Sequence, residues 1–247
     1  MRFLRKILRL TILPFWFMII AFLALPGMFA GRRGIRWNGK VTRLWGAGVA
    51  RILNIQIERN GKNPEAFLHG LIVSNHQSYL DILVNSAVFP VRFLPKVEIR
   101  YWPVLGWFIA LNRPVWVNRK SPLASAKVAE EIEKSVCDGL PILVFPEGTN
   151  SDGSGLLPFK STAFEAVART GQPVCPVLLK YAPSDDGFPL CWCGDMPFLH
   201  HVRHVLGLQK IRVKMDLLEP VYPLPGEHRK DLSNRVRQIM LDHYRSM

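Results

Sequence analysis

Acidic residues are scarce in this chain: 19 Asp and Glu stand against 32 Lys and Arg, a formal charge of +13 over 247 residues. Such an excess points to an anionic partner, either nucleic acid or a membrane surface. Cysteine is sparse too. Cys137, Cys175, Cys191 and Cys193 lack the spacing of a disulfide framework, and a chain of this length buries a core without cystine staples. Cys191-x-Cys193, with His200, His201 and His204 behind it, is not the C-x2-C knuckle that tetrahedral zinc favours, so no metal is expected. No segment repeats, and none is biased enough to be disordered. No G-x-S-x-G elbow occurs, so a hydrolase with a serine nucleophile lacks its usual mark. Gly34-x4-Gly39-Lys40 imitates a phosphate loop, but Val41 replaces the required Ser or Thr.

Charge is missing altogether from Leu10 to Ala30, LTILPFWFMIIAFLALPGMFA. As a helix these residues span about 30 Å, the hydrocarbon thickness of a bilayer. Basic residues flank both ends (Arg2, Arg5, Lys6 and Arg9; Arg32, Arg33 and Arg36), so charge gives no orientation. Pro26-Gly27 offers a break, which would make the segment re-entrant or in-plane. A cleaved leader is disfavoured, because Met28 is large for the position three before a cut after Ala30. Residues 31 to 52 are basic and carry Trp37 and Trp45, a composition suited to an interfacial helix. The expected organisation is therefore a membrane anchor with a basic interfacial helix over 1–52, followed by a globular domain over 53–247. Membrane lipid is an expected partner. Nucleic acid is not, since no recognised binding motif accompanies the charge.

From residue 53 onward short apolar runs alternate with helical patterns. NIQIER, LIV before Ser74, VRFL at 91–94, PVWV at 114–117, PILVF at 141–145, PVCPVLL at 173–179 and IRVKMDL at 211–217 predict strands. Val128, Ile132 and Val136 recur at four-residue spacing in a helix over 122–138 closed by Gly139. Residues 160–170 and 227–246 also predict helices. Continuous apolar strands are those covered on both faces. The fold class is α/β, with a mixed, largely parallel sheet covered by helices.

Two of these strands end in polar loops, where α/β proteins place their sites. In VSNHQSYLD, His76 stands five residues before Asp81. That step turns about 140° in a continuous helix, so the two share no face there. They meet only if His76 lies in the loop and Asp81 in the first helical turn. A carboxylate holding the imidazole in one tautomer makes it a base for a substrate hydroxyl. Ser78-x-x-Asp81 equally matches a capping box, in which Asp81 satisfies an amide, and spacing alone does not choose. The second loop, Phe145-Pro146-Glu147-Gly148-Thr149, is by itself a turn, and Lys96 and Arg119 by themselves are solvated cations.

Together, Asn75-His76-x4-Asp81, Lys96 with Pro103 and Gly106, Val117-Asn118-Arg119, Phe145-Pro146-Glu147-Gly148-Thr149 and Val174 to Val177 with Pro176 resemble the ordered blocks of the glycerolipid acyltransferases. The likeness spans roughly residues 50 to 222. It implies transfer of a fatty acyl group from acyl-CoA or acyl carrier protein to a lysolipid hydroxyl, with no metal or tightly bound cofactor. It implies His76 as general base and Asp81 as its orienter. Glu147, Gly148 and Thr149 would line the acceptor site, and Lys96, Arg119 and Lys160 would supply positive charge. The first-ranked acceptor is 1-acyl-sn-glycerol-3-phosphate, at a bacterial cytoplasmic membrane with the catalytic domain inside (the endoplasmic reticulum in a eukaryote). One departure stands out: Asn150 occupies the place where phosphatidate-forming members usually carry an arginine after the Thr. TNSDGSGLLPFKS and WCGDMPFLHHV look more like the branch that acylates lyso-ornithine lipid. A different class of reading, a non-catalytic basic protein resting on membranes, needs none of these blocks.

Overall fold

The computed structural model describes residues 1–101, 105–117 and 122–247. Two long helices come first, α1 (Arg2–Phe29) and α2 (Gly31–Leu53), followed by β1 (Ile55–Gly61), β2 (Leu71–Ser74), α3 (Leu80–Val88), β3 (Arg92–Phe93) and α4 (Leu105–Leu111). The second half holds α5 (Pro122–Cys137), β4 (Ile142–Val144), α6 (Phe164–Thr170), β5 (Val174–Tyr181), α7 (Phe198–Val205), β6 (Ile211–Leu217) and α8 (Arg229–Ser246).

The strands form one sheet in the order β1-β6-β5-β2-β4-β3. β5, β2, β4 and β3 run parallel, while β6 is antiparallel to β5 and parallel to β1. The sheet is thus mixed and largely parallel, as its apolar runs predict. β2 alternates between two cores. Ile72 faces α2 and α3 with Leu143, Cys175, Val177 and Leu179. Leu71 and Val73 face the other way, with Ile132, Phe164, Val236 and Met240. Helices cover both faces here, which is why β2 reads as an unbroken apolar stretch. α5 ends where Gly139 turns into the left-handed region at φ 67°, a conformation that glycine adopts without cost.

PVWV differs from expectation. Val115 N–H reaches Phe93 O and Val117 N–H reaches Pro95 O, but the pairing amounts to a single bridge between Lys96 and Val117. Pro95 and Pro114 each lack the N–H that a longer ladder requires.

The break that Pro26-Gly27 offers, one of two readings open for this segment, does not form. α1 runs through Pro14 and Pro26 to Phe29, and the chain reverses at Gly31, φ 53°. Gly27 serves a different end: a Cβ there would strike the Asn38 side chain and the Gly34 carbonyl of α2. The two backbones meet because neither residue has a side chain. At its other end α1 is held by Arg9, a buried cation. Its guanidinium donates to Ile52 O and Leu53 O at the end of α2, and to Leu206 O and Leu208 O just past α7. Those are helix C-terminal carbonyls, where a cation satisfies both the orphan acceptors and the dipole. Trp45 packs against Phe17 and Phe108 rather than facing outward, whereas Trp37 is half exposed.

Candidate active site

The C-terminal ends of β2, β4, β3 and β5 share one edge of the sheet, and the two polar loops meet there. β2 ends at Ser74, and Asn75 fixes the chain that follows. Its side-chain amide donates to Leu179 O (2.9 Å) and accepts from Leu179 N–H (2.7 Å), so it pairs with β5 as a peptide group would. The backbone then turns, and α3 begins at Leu80 with Asp81 fully buried in its first turn.

His76 Nδ1 lies 2.8 Å from Asp81 Oδ2. The same oxygen accepts from Gln77 N–H (2.6 Å) and Ser78 N–H (2.8 Å), and Oδ1 accepts from the Tyr181 hydroxyl (2.7 Å). Half of the capping box therefore exists, the carboxylate reaching back to amides. The reciprocal half does not, for Ser78 Oγ has no partner among the described residues. Capping and orienting are one arrangement, because the amides that Asp81 caps also hold it against the imidazole. With Asp81 ionised, Nδ1 carries the proton and Nε2 presents its lone pair. The ring stacks on Phe145, centroids 4.0 Å apart, and 17% of the side chain remains exposed. That is a geometry for a general base acting on something outside the core.

Glu147, expected from the resemblance to line the acceptor site, lies beneath the histidine loop. It is 4% exposed, with Oε1 accepting from His76 N–H (2.8 Å) and Oε2 from Leu157 N–H (2.9 Å). Burial holds its pKa above the usual carboxylate value, an effect the two N–H donors offset only in part. Both oxygens are spent on backbone amides, so the carboxylate braces the histidine loop against the 145–160 segment. Gly148 takes φ 75°, and a Cβ there would lie 2.7 Å from Lys160 Nζ. Lys160 N–H also donates to Pro146 O (2.8 Å), which sets the exposed lysine beside the turn. Thr149 is exposed at the tip. Lys96 is exposed just past β3, two strands from β2, about 10 Å across the sheet. Arg119 and Pro103 lie outside the described residues.

Several contacts escaped the sequence reading. Ser151 N–H donates to His76 O, and Trp192 N–H to Gln77 O, both at 2.7 Å. Gln77 Nε2 donates to Leu179 O and to the Tyr244 hydroxyl. Asn150 gives its amide N–H to Trp192 O (2.6 Å), so it ties the 145–160 loop to the segment before α7. Tyr79 meets His201 Nδ1 at 3.0 Å. Only Tyr181 left a signal: strand alternation puts it on the same face as Val177 and Leu179, toward α3.

A loop histidine with a buried carboxylate, at the C-terminal edge of a largely parallel sheet, defines the class, and the chain belongs to the acyltransferase family, whose model matches residues 44–180. Among curated relatives, the lyso-ornithine lipid O-acyltransferase of Brucella abortus is 34% identical over 222 residues, 83% of this chain and 83% of that protein. The 1-acyl-sn-glycerol-3-phosphate acyltransferase of Neisseria meningitidis serogroup B is 32% identical over 209 residues, 78% of this chain and 76% of that one. The fold is that of the 1-acyl-sn-glycerophosphate acyltransferase PlsC of Thermotoga maritima, with a TM-score of 0.69 at 22% identity over 100% of this chain and 97% of the other.

Proposed function

We propose that this chain is a membrane-bound enzyme moving a fatty acyl group from a thioester, acyl-CoA or acyl carrier protein, to the free hydroxyl of a lysolipid. The observation that carries the reading is the 2.8 Å contact between His76 Nδ1 and buried Asp81, which leaves Nε2 as the base. Nε2 takes the proton of the acceptor hydroxyl while its oxygen attacks the thioester carbonyl carbon. The tetrahedral intermediate collapses by breaking the C–S bond, and the departing thiolate takes the proton back from His76. Asp81 orients the imidazole and stabilises its cationic form. Lys96, Arg119 and Lys160 supply positive charge for the acceptor's anionic group, and Thr149 and Gly148 border it. No metal or bound cofactor enters these steps.

Attachment to the bilayer rests on α1. It is long and apolar enough to cross a membrane, yet Arg9, Ile20, Ala24 and Gly27 are buried against the protein, while Phe15, Met18, Phe22 and Phe29 are exposed. A helix docked along its length, with one apolar face open, suits insertion in the membrane plane, on the cytoplasmic side.

Asn150 bears on the choice between acceptors. It replaces the cation expected for a glycerol 3-phosphate group, and its side chain is committed to Trp192 O. This favours lyso-ornithine lipid, the acceptor named for the Brucella relative. The exposed Lys96 and Lys160 and the Neisseria relative support 1-acyl-sn-glycerol-3-phosphate as the second reading. The test offers purified protein both lysolipids with each donor and reads product mass. Acylated lyso-ornithine lipid at rates well above lysophosphatidate supports the first reading, and the reverse order supports the second. No product with any lysolipid refutes acyl transfer.

A further inference from the structure

We propose that Tyr181 is a positioning residue for the His76–Asp81 pair, its hydroxyl fixing the rotation of the Asp81 carboxylate. The inference rests on the acyl-transfer reading and deepens it. Asp81 Oδ2 already serves three donors, His76 Nδ1, Gln77 N–H and Ser78 N–H. Among the described residues, Tyr181 alone bonds Oδ1, at 2.7 Å. Both oxygens turn together about the Cβ–Cγ bond, so the Tyr181 bond on Oδ1 adds to the three on Oδ2 in holding the carboxylate plane.

Tyr181 is itself rigidly placed. It ends β5, where it pairs with Val213 of β6, and two residues earlier Leu179 clamps the Asn75 side chain that fixes the histidine loop. One strand thus locates both members of the pair. The hydroxyl stays protonated and so can donate to Oδ1, since burial and then the Asp81 charge push its pKa far above the usual phenol range. Other titratable groups facing this centre are Glu147 on the His76 amide, Cys191 from the segment before α7, Tyr79 of the histidine turn, and Tyr244 of α8 through Gln77. None of these is bonded to Oδ1.

A hydrogen bond to a carboxylate also takes up part of its charge. With the hydroxyl removed, Asp81 pairs more strongly with the imidazolium, which keeps its proton to higher pH. Tyr181→Phe keeps the ring and its packing. In it, kcat is expected to fall about tenfold with both KM values within about twofold. The acidic limb of the kcat/KM–pH profile is expected to move up by about half a unit or more. In an Asp81→Asn background the same substitution is expected to change residual activity less than twofold, because the residue acts through Asp81. A profile that superimposes on wild type overturns the proposal, whatever happens to kcat or melting temperature. So does a full tenfold loss in the Asp81→Asn background. Wild-type protein inert toward every lysolipid refutes acyl transfer itself, a result distinct from either.

Discussion

Replacing Glu147 with Gln separates a brace from a substrate contact. The carboxylate accepts one hydrogen bond on each oxygen, from His76 N–H at 2.8 Å and Leu157 N–H at 2.9 Å. Glutamine has the same shape but one oxygen, so one amide must face an NH2 group. An unsatisfied buried donor costs about 1–3 kcal/mol, and the remaining bond loses its charge-assisted share. Against this, the variant no longer buries a charge, the cost that raises the Glu147 pKa in wild type. The net loss is about 2–3 kcal/mol. For a chain of this size each kcal/mol moves Tm by about 2–4 °C, so Tm should fall by roughly 4–12 °C. Scanning calorimetry or dye unfolding in mild detergent measures this, and steady-state kinetics give the companion numbers. kcat should drop, because the histidine loop has lost its tie, while the acceptor KM stays within about twofold. An unchanged Tm with a large rise in acceptor KM would refute the reasoning and return Glu147 to the substrate.

Other expectations are simpler. Arg9→Ala should cost about 2–4 kcal/mol, seen as a lower Tm in detergent, because four carbonyls at two helix ends lose one buried cation. Gly148→Ala should cost about 1–2 kcal/mol of backbone strain at φ 75° and push the Lys160 ammonium aside, so acceptor KM should rise along with a modest fall in Tm. His201 is buried, with Tyr79 on Nδ1 and Pro189 O on Nε2, and burial lowers its pKa. Its folded value thus lies below the unfolded one, so below pH about 6.5 the unfolded chain binds more protons. Stability is therefore full above that pH and lost as pH falls below it. Tm should decline between about pH 7 and pH 5, and His201→Gln should flatten the slope.

The sheet was readable in the sequence because burial on both faces leaves continuous apolar runs, and β2, β4 and β5 fall where those runs lie. PVWV was over-read, since apolarity does not reveal that Pro95 and Pro114 withhold donors. Pro26 offered a break that α1 does not take, and nothing in the sequence signalled that Gly27 would instead be the close approach to α2. At the site, the five-residue step from His76 to Asp81 was visible, and its geometry required a loop followed by a helix start, which is what forms. The network around it was not. Tyr181 and Tyr244 reach the loop across 100 and 167 residues, and no local pattern encodes which partner a strand or helix face will meet. Glu147 was legible as a residue of interest but not as a brace, because amide donors leave no mark in side-chain identity. Arg9 looked like a flanking charge on an apolar segment. Its burial depends on α2 and α7 ending at the same place.

The central claim is that His76 Nε2 removes the proton from a lysolipid hydroxyl. Single-turnover consumption of an acyl thioester, with and without lysolipid, is the assay, comparing wild type with His76→Ala in the 247-residue chain with lipid vesicles present. Acceptor-dependent thioester loss is expected in wild type and none above background in the variant, provided the variant remains folded by circular dichroism. Acceptor-dependent turnover that survives in His76→Ala contradicts the claim.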